Sequence, residues 1–483
     1  MRLTLPVFGT CLCFLLLVGC ASKPRPLAQE AAEARIPGLA GSDVETGEPP
    51  IEYPELWVQD FGDPRLEKLI ATTLAENPDA EAAAAQLRAA VATSRIVGAD
   101  RLPQVSAQAG GGRARTVSQV TYPGTGDTLV TSTTNRYELG LNLSWEIDLW
   151  GRIADAQQAA VFDEEASAAQ YAATRLALST SVARAWFQAT ALTLQQQIAE
   201  KQLEVSEKSL RATESRVNRG LLGSLELSLA RSQVESSRAT LQSRIREKRN
   251  AYRLVQSLSG AFPDGEFTPA EDLPVLTNPP PPSLPAQILD RRPDLIAASM
   301  QISAADSRVS EAEKSLIPSI SLSGSYGTAS NELSDLLDSN FTVWNLAGNL
   351  LQPIFQGGRL RAEVERREAV LAVAIAEFES TLLTAFREVE DTLDSDAYLR
   401  TAAQQAQSAA ILAQEAAKVG FDRYERGLIE LLDVLELQNR AFEAYNLAVD
   451  LRLAALLNRI DLYAALGGGF EPVIDSNPDP IIP

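Results

Sequence analysis

The sequence predicts a mixed α and β fold, internally duplicated, in which transmembrane β-strands form part of a barrel wall that continues into a long α-helical barrel. Three observations predict it. Residues 137–153 read YELGLNLSWEIDLWGRI, and Tyr137, Leu139, Leu141, Leu143, Trp145 and Ile147 alternate there with Glu138, Gly140, Asn142, Ser144 and Glu146. That is the period of a strand with one apolar and one polar face. From Arg152 to Arg219 there is neither Gly nor Pro, which allows a helix about 100 Å long. Finally, the landmarks of the first half recur in the second.

About eleven residues is the length that a tilted strand needs to cross a bilayer, and Tyr137 and Trp145 stand near its ends, where interfacial aromatics belong. A strand of a soluble sandwich shows the same alternation. The helix that follows, too long for a single globular domain, points instead to a membrane barrel running into a helical tube.

The helix is patterned for neighbours on two sides. Phe162, Ala166, Ala169, Ala173, Leu176, Thr180, Ala183 and Phe187 step by four and three, the heptad seam of a coiled coil, with small residues allowing close approach. A second stripe, Leu178, Val182, Ala185, Ala189 and Leu192, is offset from it. Two seams suit a closed ring of helices better than a dimer.

Before this helix, Asn77-Pro78-Asp79 opens an Ala-rich helix reaching about Ala99, and Leu102-Pro103 introduces a short strand with Val105, Ala107 and Ala109 on one face. A Gly- and Thr-rich loop including Tyr122-Pro123-Gly124 separates it from the Tyr137 strand, giving a hairpin. After the helix, Arg219-Gly220 interrupts, and a second run free of Gly and Pro extends from Ser224 to Ser259. Eight prolines then fall between Gly260 and Pro285, which excludes a helix and reads as a linker packed along the outside.

Beyond the linker the pattern repeats. Pro293 lies 215 residues after Pro78, and Pro318 lies 215 after Pro103. Gly358 lies 207 after Gly151, and Gly427 lies 207 after Gly220. A constant offset on either side of the hairpin, shortened within it, is a second copy with a shorter surface loop. Ile320, Leu322 and Tyr326, then Trp344, Leu346 and Leu350, supply two more alternating segments, and Leu371, Ile375, Phe378, Leu382, Ala385, Val389 and Thr392 repeat the seam. The chain therefore divides into 1–19, a signal peptide; 20–62, an extended N-terminal segment; 63–260, the first repeat; 261–285, the Pro-rich linker; 286–466, the second repeat; and 467–483, a C-terminal tail.

Composition narrows the function. The 483 residues contain no His, the usual general base and commonest metal ligand. All three cysteines, Cys11, Cys13 and Cys20, lie in the first twenty residues, so the remainder forms no disulfide or thiolate metal site. No nucleophile-and-base constellation and no phosphate-cradling Gly loop emerges, so an enzyme is the least favoured class, and no cofactor or metal site is expected. A formal charge of −20 argues against nucleic acid. Arg2 and the apolar run Cys11 to Val18 have the build of a secretory signal, too short to span. Its ending, Leu17-Val18-Gly19-Cys20, resembles a bacterial lipobox, which implies Cys20 as the lipidated mature N-terminus and, with Ala21 rather than Asp following, sorting to the outer membrane. Nowhere else is there an apolar run of about 18 residues, so any crossing of a membrane must use strands.

One chain supplies four candidate membrane strands, whereas a closed barrel needs about eight or more and lipid tolerates no open edge. The chain must therefore oligomerise, with inner faces of Ser, Asn, Gln and Glu lining water. The Asp148 to Arg152 segment DLWGR, the RRPDL at Arg291 to Leu295, the LLQPIFQGGRL at Leu350 to Leu360 and the lipobox together resemble TolC-type outer-membrane factors, the OprM/NodT lipoprotein branch that serves RND efflux systems. The resemblance implies a homotrimer sharing one twelve-stranded barrel, in outer-membrane lipid, docked to a periplasmic adaptor (membrane fusion) protein and an inner-membrane RND transporter. It further implies a periplasmic gate at Asp433 and Glu436, with Glu226 in the first copy and Tyr424 at the tip, although the basic partner that some members carry nearby is Ile429 here. By the same resemblance, adaptor docking is expected at the tips Arg219-Gly220-Leu221 and Arg426-Gly427-Leu428. Two other readings share these features: an outer-membrane duct for type I protein secretion, and a lipid-anchored periplasmic coiled-coil scaffold.

Overall fold

The computed structural model describes residues 27, 31, 57–122, 126–276 and 291–468. The predicted lipidation site Cys20 lies outside them. A 3₁₀ turn, Trp57–Phe61, leads into α1 (Pro64–Glu76) and α2 (Pro78–Ala99), then β1 (Gln104–Tyr122), β2 (Gly126–Ile147), α3 (Arg152–Asn218) and α4 (Ser224–Leu258). The second half gives α5 (Pro293–Lys314), β3 (Ser319–Ser330), β4 (Thr342–Leu351), α6 (Arg359–Glu425) and α7 (Leu431–Ala465). The duplication is residue for residue in the helices. α3 and α6 each have 67 residues, α4 and α7 each have 35, and α2 and α5 each have 22.

The repeated Pro-Asp motifs do the same job in each copy. The Asn77 side chain accepts from the Asp79 N–H at 2.7 Å, capping α2, and its Nδ2 donates to the Leu258 carbonyl at 2.7 Å. In the second copy, buried Arg292 donates to Asp294 at 2.7 Å, to Glu388 at 2.9 Å and to the Ala465 carbonyl at 3.1 Å. Leu258 and Ala465 end the last helix of each repeat, so each motif ties the start of a repeat to its own end.

The four strands form one antiparallel sheet in the order β1-β2-β3-β4. The first hairpin is longer than the sequence predicts. Residues assigned above to a Gly/Thr loop continue the two strands, pairing Arg113 with Asn135, Val117 with Thr131 and Tyr122 with Gly126. The β-branched residues of this stretch favour the extended backbone and satisfy its hydrogen bonds across the ribbon.

Both predicted seams of α3 are used. Ala166, Ala169, Leu176, Thr180, Ala183 and Phe187 are buried, as are Leu178, Val182, Ala185 and Ala189. In α6 the corresponding seam is buried from Phe378 through Leu382, Ala385 and Val389. α6 also contains an apolar stretch long enough to cross a membrane, most of it open to solvent in the single chain. It carries Glu377 and Glu379, and Phe378 and Leu382 pack into a cluster with Leu295, Ile302 and Leu462. The helix therefore reads as a core helix with an open face rather than a membrane span.

Two segments read as peripheral enter the main core. Trp57, Val58 and Phe61, predicted to be extended, are buried with Val182, Trp186, Phe187 and Ile460. Leu273, from the described part of the Pro-rich linker, is 2% exposed in the same cluster, and Phe267 stacks edge-on against Trp186 and Tyr252. The described part of the linker, 261–276, is a non-helical strap, and the hydrophobic effect draws Leu273 and Phe267 into the core while Phe262 and Val275 stay exposed.

Candidate functional site: channel wall, gate and tips

Cross-strand register sorts the sheet into two chemically distinct faces. Directly paired residues share a face. One face stacks Val105, Leu143, Gly324 and Leu346 in one row, Ala107, Leu141, Tyr326 and Trp344 in the next, and Ile147, Ile320 and Leu350 in a third. Leu141, Tyr326, Trp344, Leu346 and Leu350 are all exposed in the single chain. The opposite face carries Ser106, Asn142, Ser325 and Asn345. There Asn142 Nδ2 donates to Gln108 Oε1 at 3.0 Å, and Gln108 Nε2 donates to Glu138 Oε1 at 2.8 Å. A sheet apolar on one side, polar and cross-bonded on the other, is built to separate lipid from water. Among the described residues, the outer edges of β1 and β4 have no strand partner. In lipid those edges need another copy.

The wall turns into the helices at a braced elbow. Gly151, in the left-handed region at φ 80°, precedes α3, and Asp148 Oδ2 accepts from the Ala154 N–H at 2.7 Å. Arg152 pairs with Glu146 at 2.8 Å, Lys314 pairs with Asp155 at 2.5 Å, and Trp150 Nε1 donates to the Pro318 carbonyl. These contacts join the elbow of the first copy to the start of β3. The DLWGR motif is thus the fixed hinge between membrane and periplasmic parts.

At the far end the tips are identical turns. Gly220 N–H donates to the Val217 carbonyl at 2.8 Å and Leu221 N–H to Arg216 at 2.9 Å; Gly427 and Leu428 repeat this on Tyr424 and Arg423 at 2.8 and 3.0 Å. With Gly220 at φ 74° and Gly427 at φ 77°, these are Schellman caps that need glycine. Arg219 and Arg426 are exposed, and so are Leu221 and Leu428, at 62% and 67%.

The predicted gate residues lie next to these turns. Glu226 and Asp433, which occupy equivalent positions in the two copies, reach back to the N–H of Gly223 at 3.0 Å and of Glu430 at 3.2 Å, so each closes the first turn of its helix. Glu436 is exposed and pairs with Arg440 at 2.5 Å. Tyr424 is 1% exposed. Its hydroxyl shares a hydrogen bond with Thr213 Oγ1 at 2.9 Å, its carbonyl accepts from Arg216 at 3.0 Å, and the Arg216 guanidinium lies 4.8 Å from its ring centroid. The acids and Tyr424 thus share one end of the molecule but not one contact, and Ile429 packs beside Tyr424 in an apolar cluster.

Sequence reasoning missed the polar side of this joint. Ser206 bonds Ser237 at 3.0 Å, and Gln438 Nε2 donates to Ser209 at 3.0 Å, all four buried. The signal was present: stepping the second stripe by sevens from Ala185 through Leu192 and Ala199 lands on Ser206 and Thr213. The seam continues, but its residues change from apolar to hydroxyl-bearing.

An amphipathic, open-edged sheet continued by paired long helices defines a class: an outer-membrane channel assembled from several copies. Residues 69–261 and 284–468 match the outer membrane efflux protein model, and the chain belongs to that family. The pyoverdine export outer membrane protein OpmQ of Pseudomonas aeruginosa is 33% identical over 466 residues, 95% of each chain. The probable outer membrane lipoprotein SilC of Salmonella typhimurium is 31% identical, covering 86% of this chain and 88% of its own. Among solved structures, the CmeC outer membrane channel of Campylobacter jejuni superposes with a TM-score of 0.80 at 26% identity, covering 87% of this chain and 89% of that one. This chain is accordingly the outer-membrane channel of an RND-type efflux system, a trimer whose shared barrel continues as a helical barrel into the periplasm.

Proposed function

We propose that this trimer is the exit duct for small toxic compounds or drugs, coupled through a periplasmic adaptor to an inner-membrane RND transporter. The single observation that carries the duct reading is the two-faced sheet with unpaired edges, joined without a break to helices long enough to reach far into the periplasm. A relative named for pyoverdine export supports a small-molecule cargo, and a relative named as a probable lipoprotein supports a lipid anchor at Cys20. The two exposed tips, with Arg219 and Arg426 beside Leu221 and Leu428, offer the adaptor a charged rim around an apolar knob.

The gate acids belong to the same reading. Repeated threefold, Asp433 and Glu436 form rings of carboxylates at the narrow end, which favour cations, and the Tyr424 joint fastens α6 to α3 beneath them. Trimers of the wild type and of Asp433→Asn with Glu436→Gln test this in planar bilayers, since the amides remove charge and leave acceptors for the helix cap. The expected result is lower cation selectivity and altered resting conductance. Unchanged conductance and selectivity in the double variant would remove the gate assignment.

A further inference from the structure

The apolar face of β1 and β2 ends abruptly. From Val105 through Ala107 and Ala109 to Gly111, every outward residue of β1 is apolar or Gly, and its partners Leu143, Leu141, Leu139 and Tyr137 complete the band. The next two outward positions are Arg113 and Arg115, paired with Asn135 and Thr133. Both arginines are exposed, and their Cα atoms stand about 7 Å apart along one strand. All four strands enter or leave the helices at one end of the sheet, so this opposite end faces the cell exterior. β3 joins β2 only as far as Tyr137, and the arginines therefore sit at the root of a two-stranded ribbon, just beyond the aromatic that marks the edge of the bilayer.

We infer that Arg113 and Arg115 form a binding site on the lipid-facing wall for the phosphates of the phosphorylated glycolipid that fills the outer leaflet. Guanidinium groups suit phosphate oxygens through paired, charge-assisted hydrogen bonds. Placement on the outward face, rather than the water-filled one, selects a lipid headgroup over a soluble anion, and the residues paired directly with the two arginines, Asn135 and Thr133, carry no acid to neutralise them. The trimer would carry three such sites, fastening the barrel to the leaflet independently of what passes through it.

Purified trimer in mild detergent is incubated with bis-phosphorylated lipid A, or with the same glycolipid after removal of both phosphates, and bound glycolipid is counted by native mass spectrometry. Wild type should retain the phosphorylated form at least about fivefold better. Arg113→Gln with Arg115→Gln should bring the two forms to parity, and the paired Lys substitutions should fall between. Equal retention of both glycolipids by the wild type would overturn the inference, whether or not the Gln variant assembles. So would a Gln variant that keeps the preference. A Gln variant that falls apart into single chains, alongside a wild type indifferent to phosphate, would instead assign the arginines to acids such as Glu332 or Asp338 on a neighbouring copy.

Discussion

At the scale of single residues, the chain keeps few charges inside and surrounds those it keeps. Asp396 and Arg459 are each 2% exposed and pair at 2.9 Å, and Arg400 approaches the other Asp396 oxygen at 2.7 Å. Arg459 also lies 3.5 Å from Asp60, which accepts from the Tyr463 hydroxyl at 2.7 Å. Burial and the Asp60 carboxylate push the Tyr463 phenol above its usual range, so it stays a neutral donor. This network joins the 3₁₀ turn to α6 and α7 at the waist of the molecule. Removing one member strands the others, and breaking a buried pair costs about 3–5 kcal/mol. Asp396→Ala should therefore lower the thermal midpoint of the periplasmic part, followed by tryptophan fluorescence, by far more than removal of the exposed Arg387–Asp391 pair, which is 64% exposed on both sides. Equal shifts for the two would show that the network is not structural.

At the scale of elements, the sheet makes a face-specific prediction. Leu346 and Asn345 are neighbours on β4 and point to opposite solvents. An arginine on the lipid face near mid-bilayer costs about 2–4 kcal/mol, whereas the lumen face is wet. Leu346→Arg should sharply reduce the heat-modifiable trimer seen by gel in outer-membrane fractions, and Asn345→Arg should leave it near the wild-type level. The reverse order would invert the assignment of faces. The helices show the same economy. Gly420, inside α6, stands where Thr213 stands in α3, and a Cβ there would press on Leu437 Cδ1 at 2.5 Å. The duplicated helices differ at this height: Thr213 bonds Tyr424, while Gly420 leaves its space to the Leu437 side chain of α7.

At the scale of the whole molecule, the chain is an unfinished ring. Its sheet has two free edges, and the first half of α6 leaves Val370, Val373 and Leu383 exposed on one side. Both are completed by neighbouring copies, so assembly depends on every subunit in the ring. Coexpression of wild type with equal amounts of the Leu346→Arg chain should leave only about one in eight rings wholly wild type if incorporation is random. Export should then fall well below half, as measured by retention of a fluorescent pump substrate in cells. Export at half or above would mean that defective chains never enter the ring.

The sequence by itself determined the plan: membrane strands, long two-seamed helices, and a duplication whose offsets of 215 and 207 reappear as helices of equal length. Strict periodicity over many residues makes such features legible, because period two and the heptad each follow from backbone geometry alone. Only the tertiary structure decided what the landmarks do. It showed that Asn77 and Arg292 tie each repeat to its own end, that Trp57 and Leu273 leave apparently loose segments to fill the core, and that Glu226 and Asp433 each reach back to close the first turn of their own helix. Those roles depend on which chain segments meet across hundreds of residues, and local pattern carries no record of that meeting.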